Sequence, residues 1–264
     1  MSMLAPDVRE FVAPAGWRTV DFVSDLHLEA EQPATVEAFT GYLHDTPADA
    51  VFLLGDLFEV WVGDDALQEP GSFEQSITAV LRRAASRIPL YFMHGNRDFL
   101  VGAGFTAATG IPVLDDPTVL VFAGQRWLLS HGDALCLDDV EYQKFRAVAR
   151  NPQWQAQLLT RTLAERRAQG RSVRAESEAR KQSGTGFYGD VDTAAALQWL
   201  QAAEAPALIH GHTHLPADHT LGEAGGTALT RHVLTDWDLA AQPPRAGALR
   251  LTAAGLERIS LVPR

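Results

Sequence analysis

A single cysteine, Cys136, stands in the whole 264-residue chain, so no internal disulfide and no thiolate-rich zinc site can form. It is expected to be a small buried apolar residue. No stretch reaches the roughly 18 consecutive apolar residues that a membrane span needs, and no N-terminal segment joins basic residues to a long apolar run. The expectation is a chain made and kept in the cytoplasm. Positive charge is also scarce. A formal net charge of −11 argues against general nucleic-acid binding, which needs a basic surface to displace counterions. Two divalent cations would bring −11 to −7, so bound metal could balance part of that charge. What the chain does have is apolar mass: 46% hydrophobic residues over this length can bury a full core. One domain over residues 1–264, with an insertion, is the default.

Val51-Phe52-Leu53-Leu54 reads as a strand buried on both faces, and it stops at Gly55-Asp56. A lone carboxylate there would ordinarily cap a helix or accept a backbone amide. The same pattern recurs, however. Thr19–Ser24 runs into Asp25-Leu26-His27, and Pro89–Met93 into Gly95-Asn96-Arg97-Asp98. Trp127–Leu129 runs into His131-Gly132-Asp133, and Ala207–Ile209 into His210-Gly211-His212-Thr213-His214. In open α/β sheets ligands sit in the crevice beyond the carboxyl ends of the strands. These five ends therefore predict a metal site centred on Asp56.

Asp25 and His27, one residue apart, share a side in an extended segment. Glu31–His44 is predicted helical, with Val36, Phe39 and Leu43 in register and Pro33 at its start. The loop Leu57–Asp65 is both aromatic and acidic, and two readings stand: packing against the site, or contacting substrate. Phe73–Arg87 is the next amphipathic helix, with Ile77, Val80 and Leu81 inward. Asn96 offers a neutral oxygen ligand, and Arg97 a planar fork suited to phosphate. Asp98 would either hold that guanidinium or hydrogen-bond a ligating histidine. Thr118–Phe122 and Gln125–Leu129 make a hairpin before His131.

Residues 134–190 break the alternation and read as a helical insertion. Tyr142, Phe145, Val148 and Ala149 form one apolar stripe. Asn151-Pro152 forms an N-cap and first-turn pair, and Trp154, Leu158, Leu159 and Leu163 continue on the next helix. Between Arg161 and Lys181 seven basic residues face three acidic ones, +4 against −15 for the rest of the chain. That run is either a solvated face or a surface for an amphiphilic anionic substrate or an acidic membrane. A helix over Asp192–Glu204 leads to the last strand end. There His212 and His214 are the expected ligands, because Gly211 lets the chain kink, and His210 is expected to pack or bond to backbone. Thr227–Trp237 and Ala248–Val262 alternate like antiparallel strands and are expected to complete a second sheet without adding chemistry.

In order, Asp-x-His, Gly-Asp, Gly-Asn-Arg-Asp, His-Gly-Asp and Gly-His-Thr-His resemble the calcineurin-like metallophosphoesterase superfamily. Leu54–Glu59, Gly63–Asp65, Met93–Phe99, Leu135-Cys136, Asp139 and Tyr142 are similar to its lipid A biosynthesis branch, and the resemblance covers residues 19–240. It implies an α/β, four-layer α-β-β-α sandwich in which the insertion forms a cap, with two Mn²⁺ ions. Asp25, His27, Asp56 and His214 would hold one ion. Asp56, Asn96, His131 and His212 would hold the other, with Asp56 bridging.

Substrate contacts would come from Asn96, Arg97, Asp139, Ser177, Lys181 and His212, with a further position, typically Lys in the family, falling on Gly184. Asn96, Arg97 and His212 would take catalytic roles. The implied reaction is attack by an activated water on the α-phosphorus of UDP-2,3-diacylglucosamine, giving UMP and 2,3-diacylglucosamine 1-phosphate (lipid X). It would be carried out by a monomer lying peripherally on the cytoplasmic face of the inner membrane. The alternative is a related phosphoesterase acting on another nucleotide diphosphate or phosphodiester. A protein phosphatase would carry a second Asp and an Arg where Leu57-Phe58-Glu59-Val60 stands, and a metal-free scaffold would have lost ligands that all seven positions keep.

Overall fold

The computed structural model describes residues 8–182 and 189–263, with the side chains of 174–182 outside that description. In chain order come β1 (Arg9–Val12), β2 (Thr19–Val23), α1 (Pro33–Asp45), β3 (Ala50–Leu54), α2 (Phe73–Ala85), β4 (Leu90–Met93) and α3 (Ala103–Thr109). There follow β5 (Val113–Leu114), β6 (Thr118–Phe122), β7 (Gln125–Leu129), α4 (Val140–Ala149), α5 (Pro152–Leu159) and α6 (Leu163–Gln182). The chain closes with α7 (Thr193–Ala202), β8 (Ala207–His210), β9 (Asp218–Ala224), β10 (Thr227–Val233), β11 (Gly247–Thr252) and β12 (Gly255–Ser260).

Two six-stranded mixed sheets result, ordered β12-β11-β2-β3-β4-β5 and β1-β6-β7-β8-β10-β9. Side chains alternate across a strand, and the sequence uses both faces of each sheet. On β3, Val51 and Leu53 pack under the helices with Phe39, Leu43, Ile77, Leu81 and Phe105. Ala50, Phe52 and Leu54 turn the other way, into the space between the sheets. There they meet Leu120, Trp127, Leu129, Ala207 and Ile209 of the second sheet. Leu128 and Leu208 point outward again, onto Ala195, Ala196, Trp199 and Leu200 of α7. Three apolar clusters therefore separate four layers, α-β-β-α. Continuous apolar runs such as Val51–Leu54 are what a strand covered on both faces requires.

The five functional strand ends are shared between the two sheets, and two other expectations change. β2, β3 and β4 lie in the first and β7 and β8 in the second, so the site spans the rim of both. The C-terminal strands also divide: β10 joins β8 in one sheet, while β11 and β12 extend the other through antiparallel pairing with β2. Leu163 is not on the second insertion helix. Thr162 and Glu165 form a reciprocal capping box, each side chain bonded to the other's backbone amide, and this starts a new helix at Leu163. Within the apolar stripe Val148 faces solvent, as does Leu159 on α5. Asn151 caps α5 as expected, its Oδ1 accepting from the Gln153 and Trp154 amides.

Candidate metal centre

Each strand end turns abruptly, and the turns are stitched together. Asp25 N–H donates to Gly55 O (3.1 Å), His27 N–H to Asp56 O (3.0 Å) and Gly211 N–H to His131 O (3.0 Å). Among the described residues seven non-glycines have positive φ, and five of them are Asp25, His27, Asp56, His212 and His214. A left-handed backbone costs such residues of order 1 kcal/mol each and persists where its surroundings over-determine it, typically at functional sites. Gly211 permits the closest approach. A Cβ there would lie 1.9 Å from Ser24 Oγ and 2.2 Å from Asp25 Oδ2.

Asp56, 2% exposed, divides its oxygens: Oδ2 lies 3.9 Å from His27 Nε2 and Oδ1 3.7 Å from His131 Nε2. On one side His27 Nε2 faces His214 Nε2 at 3.2 Å, and His214 Nε2 is 3.4 Å from Asp25 Oδ1. On the other, Asn96 Oδ1 lies 3.0 Å from His131 Nε2 and 2.8 Å from His212 Nδ1. Ligand atoms of Asp25, His27 and His214, and again of Asp25, Asp56 and His131, all fall within 4.8 Å of one another. The seven residues singled out by the sequence therefore lie in two adjoining groups that meet at Asp56.

These groups suit a cation on the chemistry of their donors. His131 Nδ1 faces the Leu54 carbonyl at 3.0 Å, which can only accept, so Nδ1 carries the proton. Its Nε2 faces another acceptor, Asn96 Oδ1, so a positive charge, a proton or a metal ion, belongs between them. Burial alone would lower the His131 pKa, but the Asp56 and Asp25 carboxylates raise it to about 9. Burial and the His131 charge push His212 down to about 3. Asp25 is lowered against its burial by the hydrogen bond to His214 and the charges of His214 and His131. Imidazoles, carboxylates and an amide oxygen form a mixed set suited to borderline divalent ions.

Several partners were not foreseen. Glu59 Oε2 stands 3.0 Å from His27 Nδ1, and Asp236 Oδ2 3.7 Å from His214 Nδ1. Asp236 is held in turn by Arg245 (2.8 Å), and Trp237 N–H donates to Asp25 O. The segment after β10, expected to add no chemistry, thus lies against the site. Asp133 accepts from Tyr142 Oη (2.5 Å) and Arg146 Nε (2.9 Å), and the Tyr142 ring packs 5.5 Å from that of His212. Glu59 and Asp133 close quoted motifs and were discoverable there; Asp236 has no local signal.

Neither reading of Asp98 holds. Its carboxylate accepts the Leu57, Phe58 and Gly95 amides, tying the Asp56 loop to the Asn96 loop. Burial and the Asp56 charge push its pKa up to about 7. For the loop Leu57–Asp65 the packing reading holds. Phe58 and Trp61 are buried against Phe105, Asp64 accepts the Gly102 and Gly104 amides, and Asp65 pairs with buried Arg166. Part of the basic run is thereby absorbed, since Arg167 also meets Glu69 and Glu74.

Arg97 lies beside the centre, its amide donating to Asp56 Oδ1 (2.8 Å) and its buried Nε without a partner. Asp139 caps α4 through the Tyr142 amide. The side chains of Ser177 and Lys181, and Gly184, lie outside the described residues. His210 is buried and turns Nδ1 to Gly211 O, and burial lowers its pKa to about 4. Cys136 is buried and free.

Two facing sheets with carboxylates, imidazoles and an amide oxygen gathered on their shared rim define a class of metal-dependent phosphoesterase. The model described as calcineurin-like phosphoesterase matches residues 18–216, and the chain belongs to that family. Its relatives narrow the branch. It is 46% identical over 245 residues to the UDP-2,3-diacylglucosamine hydrolase of Chromobacterium violaceum, covering 92% of this chain and 98% of that one. To the UDP-2,3-diacylglucosamine hydrolase of Bordetella pertussis it is 44% identical over 242 residues, covering 90% and 93%. That of Marinobacter nauticus is 44% identical over 223 residues, covering 83% and 90%.

Proposed function

We propose that this chain hydrolyses the pyrophosphate bond of UDP-2,3-diacylglucosamine at the α-phosphorus, yielding UMP and 2,3-diacylglucosamine 1-phosphate in lipid A biosynthesis. The observation that carries the reading is the division of Asp56, one oxygen turned to each of two ligand groups. Relatives of that name, matched over nearly their whole length, supply the substrate.

Asp25, His27, Asp56 and His214 would hold one Mn²⁺, and Asp56, Asn96, His131 and His212 the other. When bound, such a pair lowers the pKa of a water and draws charge from a phosphoryl oxygen. The protein's own groups do the rest. Arg97, with an unpartnered buried Nε beside the centre, presents fixed donors to phosphoryl oxygens, where charge builds in the transition state. His212, its ring set between Tyr142 and His131, faces the same position. Asn96 places its amide oxygen, and buried Asp25 fixes the His212 loop by accepting its amide (2.9 Å).

Within a single domain, residues 134–190 act as the cap. Asp139, Ser177 and Lys181 contact the substrate from it, with Lys181 serving in place of a lysine at Gly184. Exposed Val140, Val148, Leu159 and Val173 beside basic residues support a cap that meets an amphiphilic substrate and the cytoplasmic face of the inner membrane, the protein itself being a monomer. Among the described residues no helix is long and apolar enough to cross a membrane.

Hydrolysis of UDP-2,3-diacylglucosamine, followed by UMP release with Mn²⁺, Mg²⁺ and chelator side by side, tests the reading. Mn²⁺-dependent release that chelator abolishes is expected. Soluble UDP-sugars cleaved as fast as the diacylated one would overturn the substrate assignment.

A further inference from the structure

We propose that Glu59 is a positioning residue that locks the metal-facing imidazole of His27 and the phosphate-facing guanidinium of Arg97 into one arrangement, one carboxylate oxygen turned to each. This rests on the reading above that His27 faces an ion and Arg97 a phosphoryl group.

The segment carrying Glu59 is wedged between the loops that carry those two residues. On one side Leu28 bridges Phe58 in parallel, and Glu59 N–H donates to Leu28 O (3.1 Å). On the other, Trp61 N–H donates to Arg97 O (3.1 Å). Phe58 and Trp61, buried on either side of Glu59, anchor the segment in the apolar cluster under the first sheet. Glu59 thus starts from a fixed backbone, and its side chain is only 12% exposed.

Its two oxygens then divide as those of Asp56 do. Oε2 stands 3.0 Å from His27 Nδ1 and Oε1 3.5 Å from Arg97 Nη1. His27 Nδ1 makes no well-aligned hydrogen bond. With an accept-only carboxylate oxygen 3.0 Å away, however, the proton belongs on Nδ1, and His27 Nε2 keeps its lone pair for the side where Asp56 and His214 lie. A carboxylate that orients a ligating imidazole in this way also raises its basicity. For Arg97, Glu59 engages Nη1 and offsets the charge while the buried Nε stays unpartnered. One side chain so couples ion binding to phosphate binding. Glutamine cannot replace it, because its NH2 would turn a donor toward one of the two donor groups that the carboxylate oxygens face.

The test uses Mn²⁺ alone and a generic phosphodiester, bis(4-nitrophenyl) phosphate, so that it does not depend on the natural substrate. Metal-free full-length protein is titrated with Mn²⁺ against a chelating dye. Glu59→Gln is expected to bind about 10–100-fold more weakly than the parent. In a kinetic cycle the loss in kcat/KM for Glu59→Gln with Arg97→Ala together is expected to fall short of the product of the two single losses. Mn²⁺ affinity within about twofold of the parent, or losses that simply multiply, overturns the proposal; a residue serving only the fold would give this result. If Glu59→Gln does not fold, Glu59→Asp, drawn back by one methylene, decides by the same titration. At least about fivefold weaker binding is expected, and unchanged affinity overturns. Diester hydrolysis without UMP release from UDP-2,3-diacylglucosamine would count against the proposed substrate and leave this coupling intact.

Discussion

Side-chain chemistry at the centre is governed by atoms that can only accept. Leu54 O and Glu59 leave His131 and His27 each one free nitrogen, and Asp56 answers both. On this account Arg97 acts chiefly in the transition state. Arg97→Ala should lower kcat by about 10²–10³-fold with a smaller change in KM, and Arg97→Lys should recover little because the planar fork is lost. Steady-state kinetics decide it; a rise in KM alone would make Arg97 a ground-state contact. Gly211→Ala offers a steric test, since its Cβ would strike Ser24 and Asp25. It should cost about 1–3 kcal/mol in denaturant unfolding and weaken metal binding with it. The seven proposed ligand positions were readable because they gather where five apolar runs end. The left-handed backbones of five of them were not, since αL at Asp or His leaves no trace in residue type.

Among the elements, the capping residues and ion pairs of the insertion carry double meanings. Asp139 caps α4 and is also proposed to meet substrate. Asp139→Asn keeps a cap while Asp139→Ala loses it, at about 1 kcal/mol. A KM rise shared by both variants, with only the alanine losing stability, would separate the roles; unchanged KM in both leaves Asp139 a cap alone. The insertion is tied to the body at Asp65–Arg166 and Asp190–Arg231. Hydrogen bonds from the arginines lower both carboxylate pKa values, burial opposing them. Because the folded values are depressed, this stabilisation is complete above the ordinary Asp value near 4 and is lost as pH falls through the lowered ones. Limited proteolysis as the pH falls from about 4 to 2 should show the insertion opening, and Asp190→Asn should remove part of that pH dependence. Helix periods and strand alternation placed these elements well. The break at Leu163 was missed because the apolar stripe runs on through it, while the Thr162–Glu165 box that ends the register is polar.

For the whole molecule, the layer order follows from alternation on strands such as β3, which feeds two clusters at once. What alternation could not show is that strands after residue 226 divide between the sheets. Pairing of β11 with β2 across more than 200 residues is a long-range choice that local pattern does not encode. That division brings Asp236 and Trp237 to the rim and lets both sheets contribute to one centre. The most direct test of that centre is anomalous diffraction from Mn²⁺-loaded crystals. Two peaks flanking Asp56 are predicted, one among Asp25, His27 and His214 and the other among Asn96, His131 and His212. No peak at Asp56, or a single peak that leaves one of those groups empty, would contradict the account.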